Sequence, residues 1–241
     1  MDYKKAEKHG LIGRGSAMKR KQTFGWLVLI AVLCCLMSSS ALAGVNLVTN
    51  GSFDAPGDFL SSWRYIYDAS GDSWYTNNHN FISVVENDGT RKHVLRLHGT
   101  YLELQVPGQG VKVDSYPIPV DISKGKFRFS VYARSTGPTC RILIEAYRWA
   151  PGVTPHDHPK NTELRKCYKF SQVYFGKQVA ATMASLSPAW QKGTTVFPED
   201  KLSDMAKKNL AQIQFLVVHI VAIGGSDGDV FVDDVNLEKI N

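Results

Sequence analysis

Aromatic side chains set among polar ones are the residues of this sequence whose types could recognise a ligand. The segment 72–78, Asp-Ser-Trp-Tyr-Thr-Asn-Asn, is polar apart from Trp74 and Tyr75. An aromatic ring offers a flat apolar face. Such a face stacks on the C–H side of a sugar ring, while neighbouring polar groups bind its hydroxyls. Because so polar a segment does not suit a core, we predict that Trp74 and Tyr75 form an exposed sugar-binding pair.

A second aromatic group ends a predicted strand just before a proline-rich loop. It consists of Tyr147, Arg148 and Trp149. Side chains of a strand alternate between its two faces. Three apolar residues of this strand share one face, so Tyr147 and Trp149 lie on the other, with Arg141 and Glu145. We therefore predict that Tyr147, Arg148 and Trp149 bind carbohydrate.

Tyr101 with Glu103 forms a third and weaker candidate of the same kind. For every one of these aromatic residues the alternative is ordinary packing in the core. That alternative is the stronger interpretation for Trp63 and Trp190.

Other residues that could do chemistry are less persuasive. The pair of imidazoles in 156–158 could bind a metal, but its polar, proline-rich surroundings favour a solvated loop. His219 alternates with apolar residues, so we predict a buried histidine with one hydrogen bond. Glycan hydrolysis needs two paired carboxyl groups, one with a raised pKa. Glu86, Glu103 and Glu145 show no such pairing in the sequence, and no nucleophile or phosphate-loop motif is present.

The N-terminal region has the pattern of a secretory signal peptide. A basic segment at 19–21 precedes an apolar run at 24–37, and Ala41-Leu42-Ala43 supplies a small-x-small cleavage signal. The run is shorter than the roughly 20 residues of a membrane span. We predict cleavage after Ala43, with translation starting either at Met1 or at Met18, and a secreted, periplasmic or cell-surface location. The alternative is an uncleaved N-terminal anchor.

The charge of the chain is concentrated in this leader. The sequence has 241 residues, 28 basic and 22 acidic, for a net charge of +6. Residues 1–43 hold seven basic and two acidic groups, which leaves residues 44–241 with a net charge of +1. A near-neutral domain does not favour nucleic acid or an anionic membrane as partner. We expect no membrane insertion once the leader is cleaved.

The predicted mature chain keeps two cysteines, Cys140 and Cys167. An even number of cysteines in an exported protein favours a disulfide, and we predict that these two are bridged. The alternative is two separate buried thiols.

The elements that must position these residues are mostly strands. Period-two alternation or apolar runs of strand length mark five segments, and one segment is helical. The predicted strands are 93–106, 127–134, 141–149, 213–223 (buried on both faces) and 230–237, and the predicted helix is 198–210. Glycine- and proline-containing turns separate them. This pattern predicts an all-β, antiparallel jelly-roll β-sandwich with one short helix, formed by residues 44–241 as a single domain.

Two motifs at the ends of that domain make its family recognisable. Residues 46–54 are Asn-Leu-Val-Thr-Asn-Gly-Ser-Phe-Asp, followed by Trp63, and residues 230–237 are Val-Phe-Val-Asp-Asp-Val-Asn-Leu. Weaker matches lie between them, at 94–97, 125–134 and 188–192. Together they resemble the family 4/9 carbohydrate-binding modules, a branch of the galactose-binding-like jelly-roll fold. Phe127 departs from the usual tyrosine of that family.

The resemblance implies that the two end motifs share a site and that a structural calcium lies there. Alternation from Phe231 to Leu237 predicts that Asp233 faces inward, where an uncompensated carboxylate is costly. Calcium prefers oxygen ligands, and the resemblance assigns them to Asp233, with Asp54 and Asn50 as further ligands. The alternative is that backbone amides or an arginine satisfy Asp233 without a metal.

The sequence thus predicts an exported, non-catalytic carbohydrate-binding protein that recognises a glycan by aromatic stacking. Because the same fold serves several functions, a cell-surface or matrix adhesion or assembly protein with a protein partner is the main alternative. A glycan hydrolase or lyase is the least favoured.

Overall fold

The computed structural model describes residues 44–65, 78–100, 110–172 and 187–240. In chain order the strands are β1 (Trp63–Arg64), β2 (Ile82–Asp88), β3 (Arg91–Gly99), β4 (Val111–Ser115), β5 (Ile118–Pro119), β6 (Lys126–Ser135), β7 (Pro138–Trp149), β8 (Leu164–Gln172), β9 (Gln191–Phe197), β10 (Phe215–Gly225) and β11 (Gly228–Ile240). One α-helix, α1 (Asp204–Leu210), lies between β9 and β10. Three short 3₁₀ segments complete the described elements: Asn78–Phe81, Ile122–Lys124 and Asn161–Glu163.

These strands form two antiparallel sheets. Sheet A has the order β1-β4-β10-β7-β8, with β5 paired to β10, and sheet B has the order β2-β3-β11-β6-β9. The inner faces of the sheets meet in one hydrophobic core. This arrangement confirms the predicted all-β jelly-roll β-sandwich.

Alternation along the strands explains which side chains fill that core. On β6, Phe127, Phe129, Val131 and Ala133 are buried between the sheets, while the residues between them face outward. The predicted strand 213–223 corresponds to β10, whose residues 215–222 are all buried. Apart from His219 this run is apolar, as expected for a central strand whose side chains have little exposure on either face.

The helix is shorter than predicted. It begins at Asp204 because the Ser203 side chain accepts a hydrogen bond of 3.2 Å from the Ala206 amide, and so caps the first turn. Residues 198–203 precede the helix instead of belonging to it. No helix among the described residues is long and apolar enough to span a bilayer.

The two end motifs lie together, as the resemblance implied. The Leu47 amide donates to the Leu237 carbonyl at 2.7 Å, and the Val235 amide donates to the Gly51 carbonyl at 2.8 Å. Asn46 joins them through its side chain, which accepts from Leu237 and donates to Val235. A Cβ on Gly51 would lie 2.0 Å from the Val235 oxygen, so this close approach requires glycine.

A β-bulge overturns the predicted inward orientation of Asp233. The register of β11 against β6 shifts between Asp233 and Asn236, and Asp234 has a positive φ of 50°. An extra residue in one strand moves the following side chains to the other face. Val235 therefore packs in the core, whereas Asp233 pairs with Tyr132 on the outer face of sheet B.

The predicted disulfide is also wrong, because both cysteines are free thiols. Cys140 packs in the core near the start of β7, whereas Cys167 lies at the β8 bulge opposite Ala146 and Tyr147. Ala146 is about 20 Å along β7 from Cys140, and a disulfide needs Cα atoms within about 7 Å. Burial also raises the pKa of Cys140 to about 12, which keeps its thiol protonated.

Candidate functional site

The outer face of sheet A forms a cleft of about 620 Å³. Its floor comes from the central strand, where alternate residues of β10 turn away from the core, among them Val217, His219 and Val221. Strand β4 contributes Lys112 and Asp114, directly opposite Val221 and His219. Strand β7 contributes Arg141, Leu143, Glu145 and Tyr147 on the other side, and Arg64, Pro159, Asn161, Leu164 and Lys166 form the walls.

A hydrogen-bonded network of ionisable side chains covers the floor. His219 Nδ1 donates to Asp114 Oδ1 at 2.6 Å, and His219 Nε2 lies 3.3 Å from the Tyr147 hydroxyl. Tyr147 in turn donates to Glu145 Oε2 at 2.5 Å. All four side chains are buried. The network therefore holds a fixed set of donors and acceptors on a concave surface.

Two lysines neutralise the carboxylates of this network. Lys112 Nζ lies 2.8 Å from Asp114 Oδ2, and Lys166 Nζ lies 2.6 Å from Glu145 Oε2. Removing a charge from water is costly unless a partner and hydrogen bonds compensate it. These lysines supply that compensation, so both carboxylates are held at defined positions.

The electrostatics keep both carboxyl groups ionised. Burial acts to raise the pKa of Asp114, but the proximity of His219 and Lys112 outweighs it and holds that pKa well below the usual range. Burial likewise opposes the lowering of the pKa of Glu145, which His219, Lys166 and Tyr147 bring about. Burial and the neighbouring Glu145 raise the pKa of Tyr147, so the phenol stays a donor.

Neither of the two carboxyl groups on the cleft floor has a raised pKa. A glycosidase general acid is a carboxyl group with a raised pKa, whereas the pKa values of Asp114 and Glu145 are both lowered. The site instead offers ammonium and guanidinium donors beside carboxylate acceptors. Such a mixture can hydrogen-bond a ligand whose groups both donate and accept.

One cation of the cleft stands apart from the network. Arg141 forms no hydrogen bond or ion pair within the described ranges, and its Nε is buried without an acceptor. By contrast, Arg64 donates to the Pro159 carbonyl at 2.7 Å, which ties the end of sheet A to the loop before β8.

The three predicted sugar-binding residues of β7 occupy different environments. Tyr147 lies in the cleft on the predicted face, but its ring is buried against Phe215, with centroids 5.9 Å apart. Trp149 is half-buried in an adjoining pocket of about 390 Å³ that three prolines help to line: Pro117, Pro119 and Pro155. Arg148 is exposed and does not line the cleft.

The remaining predicted sugar-binding residues are not among those the structure describes. They are Trp74, Tyr75, Tyr101 and Glu103, and the predicted leader 1–43 lies outside the described residues as well. Their assignment to a binding surface stays a prediction.

The residues predicted to bind calcium have protein partners. Arg91 Nη1 donates to Asp233 Oδ2 at 2.7 Å and to Asp234 Oδ2 at 2.8 Å. Asp54 Oδ1 lies 2.5 Å from His93 Nδ1. These contacts match the arginine alternative for Asp233.

Asn50 is engaged in the same way, within its own loop. Its side-chain amide donates to the carbonyls of Phe59 and Ser61, and its oxygen accepts from the Ala55 amide. Within the described ranges, no three His, Cys, Asp or Glu side chains form a group that could hold a metal ion. Each predicted ligand thus has partners within the protein, and calcium stays a prediction for solution measurement.

His156, His158 and His219 lie in different surroundings. His156 and His158 are exposed, and they bond to Glu163 and to the Tyr116 hydroxyl instead of converging on one point. His219 is buried as predicted, but it has several partners and lies on the cleft floor, outside the inter-sheet core.

Sequence reasoning missed the Asp114–His219 pair and its lysine. A signal was present, because Lys112 and Asp114 alternate with Val111 and Val113 in a short strand. Charged residues at alternate positions indicate one polar strand face. Only the pairing of β4 with β10 places Asp114 opposite His219.

No family model and no curated protein matches the sequence. The fold is similar to solved carbohydrate-binding modules. A family 16 module is 12% identical, with a TM-score of 0.44, and the match covers 80% of this chain and 100% of the module. For the CBM22-1 xylan-binding domain of Paenibacillus barcinonensis Xyn10C the identity is 11%, the TM-score 0.45 and the coverage 83% and 97%. For a CBM4 structure the corresponding values are 13%, 0.40, 80% and 99%. Likeness at this level carries no argument about the ligand.

Proposed function

We propose that this protein is an exported, non-catalytic carbohydrate-binding protein whose glycan lies in the cleft of sheet A. The observation that carries the proposal is the buried network of Asp114, His219, Tyr147 and Glu145 on the cleft floor. A buried set of charges is weak support for stability, whereas perturbed ionisable groups in a cleft are typical of functional sites.

The chemistry of the lining suits sugar hydroxyls. A hydroxyl both donates and accepts, and the cleft presents carboxylate acceptors within reach of lysine and arginine donors. The cleft volume of about 620 Å³ lies in the usual range for ligand sites. Trp149, in its adjoining pocket, is the described residue best placed to add aromatic contact at one end of a bound chain.

The adhesion alternative lacks the feature that would favour it. A contiguous exposed apolar patch among the described residues would favour an interface of that kind. Among the described residues the exposed large hydrophobic side chains are Val45, Val196 and Met205, on separate elements. We therefore retain glycan binding as the proposal.

A glycan-array screen of the full chain tests this function when it is repeated with a blocked cleft. Val217 lies on the cleft floor opposite Glu145, so Val217→Trp fills the cleft without removing a member of the network. We expect the wild-type protein to bind a subset of glycans and Val217→Trp to lose them.

The matched control is Val196→Trp, an exposed position on β9 of sheet B. It adds the same side chain away from the cleft, and we expect it to bind as the wild type does. Absence of binding to every glycan by the wild-type protein, or equal binding by Val217→Trp with an unchanged melting temperature, would contradict the proposal.

A further inference from the structure

Basic side chains outnumber acidic ones among the described residues that line the cleft. Four basic side chains line it, against the carboxylates of Asp114 and Glu145. The basic residues are Arg64, Lys112, Arg141 and Lys166. Among the described lining residues, basic groups therefore outnumber carboxylates by two before any charge on His219 is counted. The predicted mature domain as a whole has a net charge of only +1, so the excess is a local property of this site.

Arg141 is the residue in which this excess is least compensated. Each of the two carboxylates already has a lysine and a further hydrogen-bond partner. Arg141 has no partner in the described part of the chain, although its Nε is shielded from solvent. A buried donor without an acceptor costs free energy, so a group that the protein itself does not supply is expected there.

The position of Arg141 shows where that group would lie. Arg141 pairs with Val221 on the central strand, and Val221 pairs with Lys112 on its other side. Since neighbouring strands are about 4.8 Å apart, the Cα atoms of Arg141 and Lys112 are about 10 Å apart across a small apolar side chain. Two cations thus flank one stretch of the cleft floor.

An anion with two neighbouring oxygens fits this arrangement. The guanidinium fork binds a carboxylate or an oxyanion of similar geometry through two parallel hydrogen bonds. On a sugar ring, that anion is the carboxylate of a uronic acid or a sulfate ester. A neutral sugar leaves Arg141 without a charged partner.

We infer that the glycan of this protein is anionic and that Arg141 binds its acidic group, an inference that rests on the proposed glycan-binding function. Val221 contacts the apolar face of the same sugar residue. Lys112 adds attraction at longer range while it stays paired with Asp114.

Calorimetric titration of the full chain with three oligosaccharides tests the inference. They are an oligogalacturonate, its carboxyl-reduced neutral counterpart, and a sulfated galactan oligosaccharide. We expect at least one anionic ligand to bind about tenfold or more tightly than the neutral one, with an affinity that falls as salt is raised. The comparison of the two anionic ligands identifies which acidic group is preferred.

Two substitutions assign that preference to one side chain. Arg141→Gln removes the charge, and we expect it to abolish the preference for the anion while binding of the neutral ligand stays the same. Arg141→Lys keeps the charge without the fork, and we expect an intermediate affinity. Arg148→Gln changes an exposed arginine of the same strand outside the cleft, and we expect no effect.

The outcomes separate this inference from the function on which it rests. Neutral and anionic ligands binding equally, or an anion preference that persists in a folded Arg141→Gln protein, overturns the inference and leaves glycan binding intact. No binding of any glycan overturns both. If Arg141→Gln melts at a lower temperature than the wild type, the affinity of Arg141→Lys for the anionic ligand tests the inference instead. The inference then requires the intermediate affinity stated above.

Discussion

On the outer face of sheet B four arginines lie against carboxylates, whereas Arg141 on the outer face of sheet A has no such partner in the described part of the chain. The pairs of sheet B are Arg91 with Asp233 and Asp234, Arg96 with Asp229, Arg128 with Glu238, and Arg134 with Asp88. Both faces carry arginine and carboxylate side chains on antiparallel strands. They differ in whether each of these arginines has a carboxylate partner among the described residues.

Aromatic rings complete the compensation on sheet B. Arg91 lies 3.9 Å over the Tyr132 ring, and Arg134 lies 3.8 Å over the Phe231 ring. Trp190 donates from Nε1 to Asp88 at 3.0 Å. These arginines are therefore paired within the protein, and their contacts contribute to the stability of the fold.

This difference between the two faces predicts how substitutions on each face affect stability and glycan binding. Substitutions that break a network on either face should lower stability, but only those in the cleft should also change glycan binding.

Removal of Asp114 should have the largest effect on stability. Asp114→Ala leaves Lys112 and His219 buried without their carboxylate, and breaking a buried pair of this kind costs about 3 kcal/mol or more. Urea denaturation measures the free energy of unfolding, and glycan binding should be lost as well. The control Asp204→Ala removes an exposed carboxylate 3.3 Å from Lys207 and should leave the denaturation midpoint unchanged.

Removal of Arg91 should have a smaller effect that is confined to stability. The Asp233 side chain is only 7% exposed, and Arg91→Ala removes its charged partner, so we expect a loss of about 2 kcal/mol. Glycan affinity should not change. Arg128→Ala is the control within sheet B, because that side chain is 49% exposed and its pair with Glu238 contributes less than about 1 kcal/mol. A weaker affinity for glycan in Arg91→Ala would break the separation of the two faces.

Acid should weaken the cleft network. The pKa values of Asp114 and Glu145 are lowered by folding, so the unfolded chain takes up protons first. Their contribution is fully present above about pH 5 and is lost as the pH falls below their unfolded values of about 4. The stability difference between wild type and Asp114→Ala should therefore shrink by about 1 kcal/mol or more between pH 7 and pH 3. Asp233, whose pKa burial raises, acts in the opposite direction and is present in both proteins.

Calcium should have the smallest effect of all. Since Arg91 already supplies the positive charge beside Asp233, we expect the melting temperature to be the same in excess calcium and in a chelator. A rise of several degrees in the melting temperature with calcium would show that the ion binds the native state. It would support the predicted calcium site at the two end motifs.

The sequence was sufficient for the parts of the fold that alternation controls. The faces of β6 and β7 and the doubly buried β10 follow from residue types alone, because each side chain has one preferred environment there. Alternation failed at Asp233, since the bulge that reverses the face depends on the partner strand. The disulfide prediction failed for another reason, because an even number of cysteines says nothing about the distance between them in the fold.

The candidate site was predicted only in part. Alternation assigned Tyr147 to the correct face, yet it could not show that Glu145 and Phe215 would bury the ring. The central contact of the cleft joins Asp114 to His219, which belong to strands far apart in sequence. Such a pair becomes visible only when the sheet order is known.

The most direct test of the account is to follow histidine side-chain NMR signals while the full chain is titrated with a glycan that it binds. His219 lies on the cleft floor of sheet A, whereas His98 lies on sheet B, 2.8 Å from Asp229. We predict that the imidazole signals of His219 shift in proportion to bound glycan while those of His98 stay unchanged. Shifts of His98 with an unchanged His219 would contradict the assignment of the cleft as the glycan-binding site.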